Sequence, residues 1–378
     1  MRVMIGTGLF LSLFLSMSGQ NNLDHFLIVG TYTSGKSEGI YVYRFDTTTA
    51  ETRQVSVTKK IENPSFLSVD SEGDFIYAVS EKNTGTNPGG EIVAYQFINP
   101  SGLMIEKKRI SSMGNDPCYI ALHPDKKWFA AGNYSSGSII TGTSLSSPSD
   151  FNVNQVITHT GSGINVARQE SAHVHATVFS PDGKYLLVPD LGIDKVNVYA
   201  FDAQTSNIIY NKKKSASSVP GSGPRHLEFH PNGKWVYLME ELSSTVVFFR
   251  FNEGKLSKKQ RIDAQPSGYQ GTRSSADIHV SPDGRFLYCS NRGEANSISV
   301  FSISKTGQLA LIENQSTQGI TPRNFSICPG GKYLLAANQD SDNIAIFAID
   351  QETGKLNFTG KSINVSKPVC LKWIKAKL

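Results

Sequence analysis

Short runs of β-branched and aromatic residues, separated by clusters of Gly, Pro, Asn, Asp and Ser, occupy nearly the whole chain. The stretch Gly223–Val246, GPRHLEFHPNGKWVYLMEELSSTV, shows the unit in full. It reads as a strand (RHLEFH), a tight polar turn (PNGK), a second strand (WVYLM), a polar connection (EELSS) and a third strand opening at Thr245, as strands joined by hairpins do. Near-copies recur: VDSEGDFIYAVSE near residue 70, HPDKKWFAAGNY at 123, SPDGKYLLVPDL at 180, HPNGKWVYLMEE at 230, SPDGRFLYCSNR at 281 and CPGGKYLLAANQ at 328. Each is followed by a third strand (EIVAYQF, GSIITGTS, KVNVYAF, TVVFFRF, SISVFSI, NIAIFAI) and by a looser, more polar fourth one such as GLMIEKKRI.

Four antiparallel strands at a period of roughly fifty residues are the signature of a β-propeller blade. The chain ends supply one more blade. HFLIVGTYT and GIYVYRFD lack a first strand before them, and PVCLKWI is a first strand with nothing after it. Joined, they close a ring of the kind that hides sheet edges otherwise open to association. The expectation is an all-β, seven-bladed propeller of four-stranded antiparallel blades, forming a single domain over residues 21–378.

Composition adds little to this and takes some functions away. Hydrophobic residues make up 39% and charged residues 18% of the 378, enough apolar surface for a substantial core. The formal net charge of +5 comes without a long basic block, so nucleic acid is not an expected partner. A small anionic or sugar-lactone ligand is compatible with it. Residues 1–20 carry Arg2, an apolar core (VMIGTGLFLSLFLS) and small residues at SMSGQ, the layout of a secretory signal peptide. Export to a periplasm or the medium is therefore expected, with no membrane attachment after cleavage. Cys118, Cys289, Cys328 and Cys370 fall in predicted strands and are read as buried hydrophobes; no zinc-type spacing is present, and neither metal nor cofactor is expected. A closed ring is compatible with a monomer or a weak dimer.

The copies differ most at one face. Turns of the SPDGK type repeat the same hairpin chemistry at the far face. At the near face, where each first strand begins, the copies align Ser65, Cys118, His175, Arg225, Ala276 and Arg323. After the second strand they align Tyr32, Glu81, Tyr134, Leu191, Glu241, Arg292 and Gln339. Just before these stand Thr31, Ser80, Asn133, Asp190, Glu240, Asn291 and Asn338. A turn requirement would repeat one residue type, whereas a ligand site drawn from several blades would vary in this way. Arginines suit carboxylate or phosphate, and His suits proton transfer near neutrality. The competing reading is structural: Arg225 pairs with Glu241, Arg292 with Asp277 or Glu294, and His226 and His279 simply pack among strand residues.

The modules GTYTSGKSEGIYVYRFD, NPSFLSVD, SPDGKYLLVPDLGIDKV, GPRHLEFHPNGKWVYLMEELSSTV, SPDGRFLYCSNRG and PRNFSICPGGKYLLAANQDSDNIAIF resemble the lactonase family of seven-bladed propellers, over nearly the whole mature chain. That family spans 6-phosphogluconolactonase-like hydrolases and carboxy-muconate lactonizing enzymes. The resemblance implies a catalytic set of His175, Arg225, Glu241 and Arg292; Arg323, Asp190 and Asn338, from the aligned columns, and His173, on the same side of its strand as His175, are further substrate-binding candidates. The activity it implies is hydrolysis of a sugar-acid lactone, with arginines holding the anion and Glu241 or His175 activating water. Muconate cyclization and a non-catalytic binding or interaction propeller are the alternatives. A catalytic role for Glu241 and Arg225 further implies that Glu241→Gln and Arg225→Ala abolish turnover with little change in melting temperature.

Overall fold

A computed structural model describes residues 23–377, apart from 84, 86–88 and 145–149; segment 1–20, expected to be a signal peptide, lies outside the described residues. Seven antiparallel sheets follow one another around a ring. Blade 1 joins the C-terminal strand Pro368–Lys375 to His25–Thr31, Ile40–Phe45 and Thr52–Thr58. Its closure runs in register from His25 opposite Lys375 to Gly30 opposite Cys370. Blades 2 to 7 begin at the inner strands Leu67–Val69, Pro117–Leu122, Val178–Phe179, Pro224–Phe229, Ser275–Val280 and Pro322–Ile327. Six blades have four strands; in blade 4 the outer strand is split into Ile208–Tyr210 and Ala216–Ser217, both paired with Lys195–Phe201.

The burial pattern explains why the second and third runs of each copy are so apolar. These middle strands lie between two neighbouring blades, so both of their faces are covered: Phe286–Asn291 is buried at every position, and Phe75–Ser80 at every position but the first. Outer strands meet water on one face and alternate, as Asn152–Thr158 does. Tyr77, Phe129 and Phe151 form one continuous core between blades 2 and 3, and each such fully buried ring contributes about 1.5–3 kcal/mol. The far-face turns are hairpin devices, with Gly183 at φ 71° and its carbonyl accepting from His123 Nε2 of the preceding blade at 2.9 Å.

All four cysteines are free and buried. Cys328 sits in the turn after Pro322–Ile327 and not within a strand, with its thiol accepting from the Tyr333 amide.

Candidate functional site at the channel mouth

Two backbone devices build the mouth. The first is a register shift at the start of the inner strands. Pro224 faces Glu240 and His226 faces Met239, which leaves Arg225 as an extra residue turned out of the ladder. Equivalent shifts free Cys118, Arg323 and the pair Ala276–Asp277. Such bulges bend a strand and re-aim a side chain, and here they aim it into the channel. Pro117, Pro224 and Pro322, which open three of these strands, fit a position outside the regular ladder.

The second device fixes the residue after each second strand. The amides of Tyr32, Glu81, Tyr134, Leu191, Glu241, Arg292 and Gln339 donate to the carbonyls of Lys367, Asn63, Asp116, His173, Gly223, Ser274 and Thr321, at 2.7–3.1 Å. The aligned column is thus one structural position repeated around the mouth.

Ser65, Cys118, His175, Arg225 and Arg323 line one small cavity with Phe66, His226, Asn324 and Val369, of about 10 Å³, room for roughly one water molecule. Phe66 stacks on Tyr119 at 4.0 Å, and both rings meet the edge of His226, so this layer floors the channel.

Glu241 is the hub. Its Oε2 accepts from Arg225 Nε at 2.9 Å, and its Oε1 lies 2.7 Å from Arg168 and 3.1 Å from Arg292. The side chain is almost wholly buried. Burial would raise its pKa, but Arg292, Arg225 and Arg168 outweigh that and hold it down at about 2. Burial, reinforced by repulsion from Arg323 and Arg292, brings Arg225 down to about 10, still protonated at neutral pH. The structural pairing of Arg225 with Glu241 therefore exists, yet it is part of a larger cluster at the mouth. Arg292 joins this cluster and pairs with neither Asp277 nor Glu294; its Nε is buried without a partner.

Arg323 is unlike the other three. It lies 5.2 Å over the Tyr32 ring, whose hydroxyl donates to Glu81, and its guanidinium makes no hydrogen bond or ion pair among the described residues. Four arginines at the mouth, Arg168, Arg225, Arg292 and Arg323, face two carboxylates, Glu241 and Glu81. The mouth has a net positive charge and guanidinium donors to spare.

His175 reaches the cluster, with Nε2 3.9 Å from Glu241 Oε2 and Nδ1 3.8 Å from Cys118 Sγ. Burial, then the nearby Arg225 charge, pushes its pKa well below 6.5, so it is neutral.

Three expected substrate contacts are placed elsewhere. His173 stacks on Tyr134 at 4.4 Å and bonds the Tyr134 carbonyl and Glu170, so it props the tyrosine and does not reach Glu241. Asp190 is fully buried, accepting from His159 Nδ1 at 2.6 Å and from the amides of His173 and Gly192. Asn338 donates to the Thr317 carbonyl at 2.9 Å. The column of Asp190 and Asn338 ends the second strand, where alternation turns the side chain from the mouth toward the segment leaving the preceding blade. Ser80 and Asn133 make the same reach, to Glu62 and Ser112. At these four positions the column latches one blade to the next, and its polarity serves that purpose. Glu240 turns away from the mouth too, to Arg261 of its own blade.

Arg168 was not legible in the repeat. It lies in the long connection between Asn152–Thr158 and Val178–Phe179, outside every aligned column. The length of that connection was the available signal, since long structured loops tend to be functional. His226 and His279 are also more than packing residues: His226 Nδ1 bonds Asp277 at 2.8 Å, and His279 bridges Asp277 and Glu228. Among the described residues, no group of three or more His, Cys, Asp or Glu is placed to hold a metal ion.

Fold and site together define a class: a seven-bladed propeller with an arginine-rich channel mouth. The family model described as Lactonase, 7-bladed beta-propeller, matches residues 26–373, and the chain belongs to that family. It is 38% identical to a 6-phosphogluconolactonase of Formosa agariphila, over 87% of this chain and 94% of that one. It is 34% identical to a 6-phosphogluconolactonase of Bacillus subtilis, over 92% and 97%. The solved periplasmic gluconolactonase of Pseudomonas aeruginosa superposes with a TM-score of 0.87 at 35% identity, covering 93% of this chain and 99% of that one.

Proposed function

We propose that the protein is a hydrolase that opens the lactone of a sugar acid, with an anionic substrate held at the channel mouth. The observation that carries this reading is the excess of guanidinium groups there, above all the unpaired Arg323. A guanidinium so placed, with an aromatic face beside it but no hydrogen-bonded or ion-pair partner, keeps its donors free for an anion. The naming of the Formosa agariphila and Bacillus subtilis relatives as 6-phosphogluconolactonases supports a lactone of this kind. The periplasmic relative and the apolar N-terminal segment support a periplasmic location.

In this mechanism Arg323 and Arg292 take the anionic group of the substrate. Arg225, anchored by Glu241 and the Ala276 carbonyl, stabilises the oxyanion that forms as water adds to the lactone carbonyl. Glu241, engaged by three guanidinium groups, is a fixed counter-charge and a poor proton acceptor. Proton transfer then belongs to a neutral imidazole.

Glucono-lactone, its 6-phosphate and a panel of other sugar lactones, with acid release followed by pH-stat, test the reading. At least one should open well above the buffer rate; hydrolysis at the buffer rate throughout overturns it. Arg323→Gln should raise KM for the phosphorylated lactone about ten- to a hundredfold, as expected for loss of one to two charge-assisted hydrogen bonds, and change the unphosphorylated one much less.

A further inference from the structure

Two imidazoles face the one-water cavity, His175 and His226, with ring centroids 5.4 Å apart. We propose that His226 is the general base that takes the proton of the attacking water on Nε2, with Asp277 as its positioning partner. This rests on the lactone-hydrolase reading above.

The two rings differ in what holds them. His175 has a thiol at 3.8 Å on Nδ1 and a carboxylate only at 3.9 Å from Nε2, beyond hydrogen-bond reach. A proton gained there would meet no carboxylate within hydrogen-bond reach. His226 Nδ1 lies 2.8 Å from Asp277 Oδ1, so Nδ1 carries the hydrogen and Asp277 stabilises the imidazolium when it forms. Arg225 Nη1, a donor, faces Nε2 at 3.3 Å, which keeps the lone pair on that nitrogen. That contact is long, and a water in the cavity can take the lone pair.

Asp277 is itself held rigidly. Asn324 Nδ2 and His279 Nε2 donate to Oδ2, the latter at 3.0 Å, and the Asp277 amide donates to Ser290 Oγ at 3.0 Å. His279, raised to about 10 by Asp277 and Glu228 against the effect of burial, is an imidazolium between two carboxylates. The chain Glu228–His279–Asp277–His226 thus ends at the cavity with its only neutral member.

The groups facing His226 are Arg225 on its own strand, Asp277 from blade 6, Arg323 from blade 7, His175 ahead of blade 4 and Tyr119 from blade 3. Burial and the Arg225 charge bring its pKa down to about 4, so it is unprotonated at rest. An anionic substrate on Arg323 offsets part of that positive field and makes Nε2 more basic when a lactone is bound.

In the reaction, the water oxygen bonds to the lactone carbonyl carbon as its proton passes to His226 Nε2 and the carbonyl electron pair moves onto oxygen beside Arg225. Collapse restores the carbonyl and breaks the ring C–O bond, and the departing ring oxygen takes the proton back from Nε2. The product is the hydroxy acid, which releases its carboxyl proton to solvent.

The test compares His226→Ala, His226→Gln and His175→Gln on the lactone that the wild type opens best. His226→Ala should lower kcat by a hundredfold or more, with KM within about threefold. Added imidazole should restore part of that loss, and the acid limb of the wild-type kcat/KM profile, falling toward pH 4, should be absent from the unrescued variant. His175→Gln should keep kcat within about tenfold. A folded His226→Ala with kcat near wild type, or loss of kcat without imidazole rescue and with the acid limb intact, overturns the assignment. Should His226→Ala fail to fold, His226→Gln decides by the same kcat and pH-profile criteria, with wild-type kcat as the overturning result. A wild type that opens no lactone removes the hydrolase reading itself; a wild type that opens one while both His226 variants remain active removes only this inference.

Discussion

At the residue scale, the site turns on one carboxylate shared by three guanidinium groups. Because Glu241 balances Arg168, Arg225 and Arg292 in a nearly closed space, its removal strands buried positive charge. Glu241→Gln should therefore cost about 3–5 kcal/mol in urea unfolding as well as activity, and the expectation of an unchanged melting temperature gives way to one of a lowered one. The same groups set the pH range of stability. Glu241 falls from 4.5 to about 2 on folding, so its contribution is complete above pH 4.5 and disappears as pH drops toward 2. His226 falls from 6.5 to about 4, so the unfolded chain binds a proton that the folded one refuses, and stability declines from pH 6.5 down to 4. His279 rises from 6.5 to about 10, so its contribution is complete below pH 6.5 and disappears as pH rises through 10. Chemical denaturation across pH 3–10 should show a maximum near pH 6.5, and removal of the alkaline decline by His279→Gln checks the last assignment.

At the scale of the element, one strand end does two jobs by alternation. The last residue of four second strands, Ser80, Asn133, Asp190 and Asn338, turns toward the segment leaving the preceding blade, while Glu241 and Arg292, one position after that column, turn toward the mouth, so adjacent polar columns divide into latches and mouth-lining groups. Asp190→Ala tests this division. It leaves His159 Nδ1 and the amides of His173 and Gly192 without their buried acceptor, which should cost about 2–4 kcal/mol. KM for the lactone should stay within about threefold of wild type, because the side chain is fully buried away from the arginines. A rise in KM at unchanged stability would return Asp190 to the binding site. The inner-strand bulges were invisible in an ungapped alignment, which could place Arg225 and Arg323 in one column but not show that a skipped ladder position aims them inward.

At the scale of the whole molecule, every blade depends on the closure of the ring by Pro368–Lys375 against His25–Thr31. Deleting residues 366–378 would uncover the edge of His25–Thr31 and the core packed around Leu371. The truncated chain should lose its single cooperative unfolding transition and aggregate, as seen by circular dichroism and size-exclusion chromatography, whereas deletion of residues 377–378 should leave the transition in place.

The sequence by itself determined the seven-bladed ring, the closing blade and the face on which the copies diverge, because strand period, turn chemistry and burial on both sides of the middle strands are local demands repeated in every copy. It also drew His175, Arg225, Glu241, Arg292 and Arg323 to one mouth, since they share repeat positions. Only the tertiary structure decided which polar groups line the mouth and which face a neighbouring segment. Arg168 enters from a connection with no counterpart in the repeat, Asp190, His173 and Asn338 are taken up by contacts within the protein, and His226 becomes a candidate base through Asp277, fifty-one positions along the chain and one blade away. Those outcomes depend on which charges and hydrogen-bond partners the closed ring brings within about 3 Å, and that distance is set by the packing of blades against each other, not by the order of residues within one.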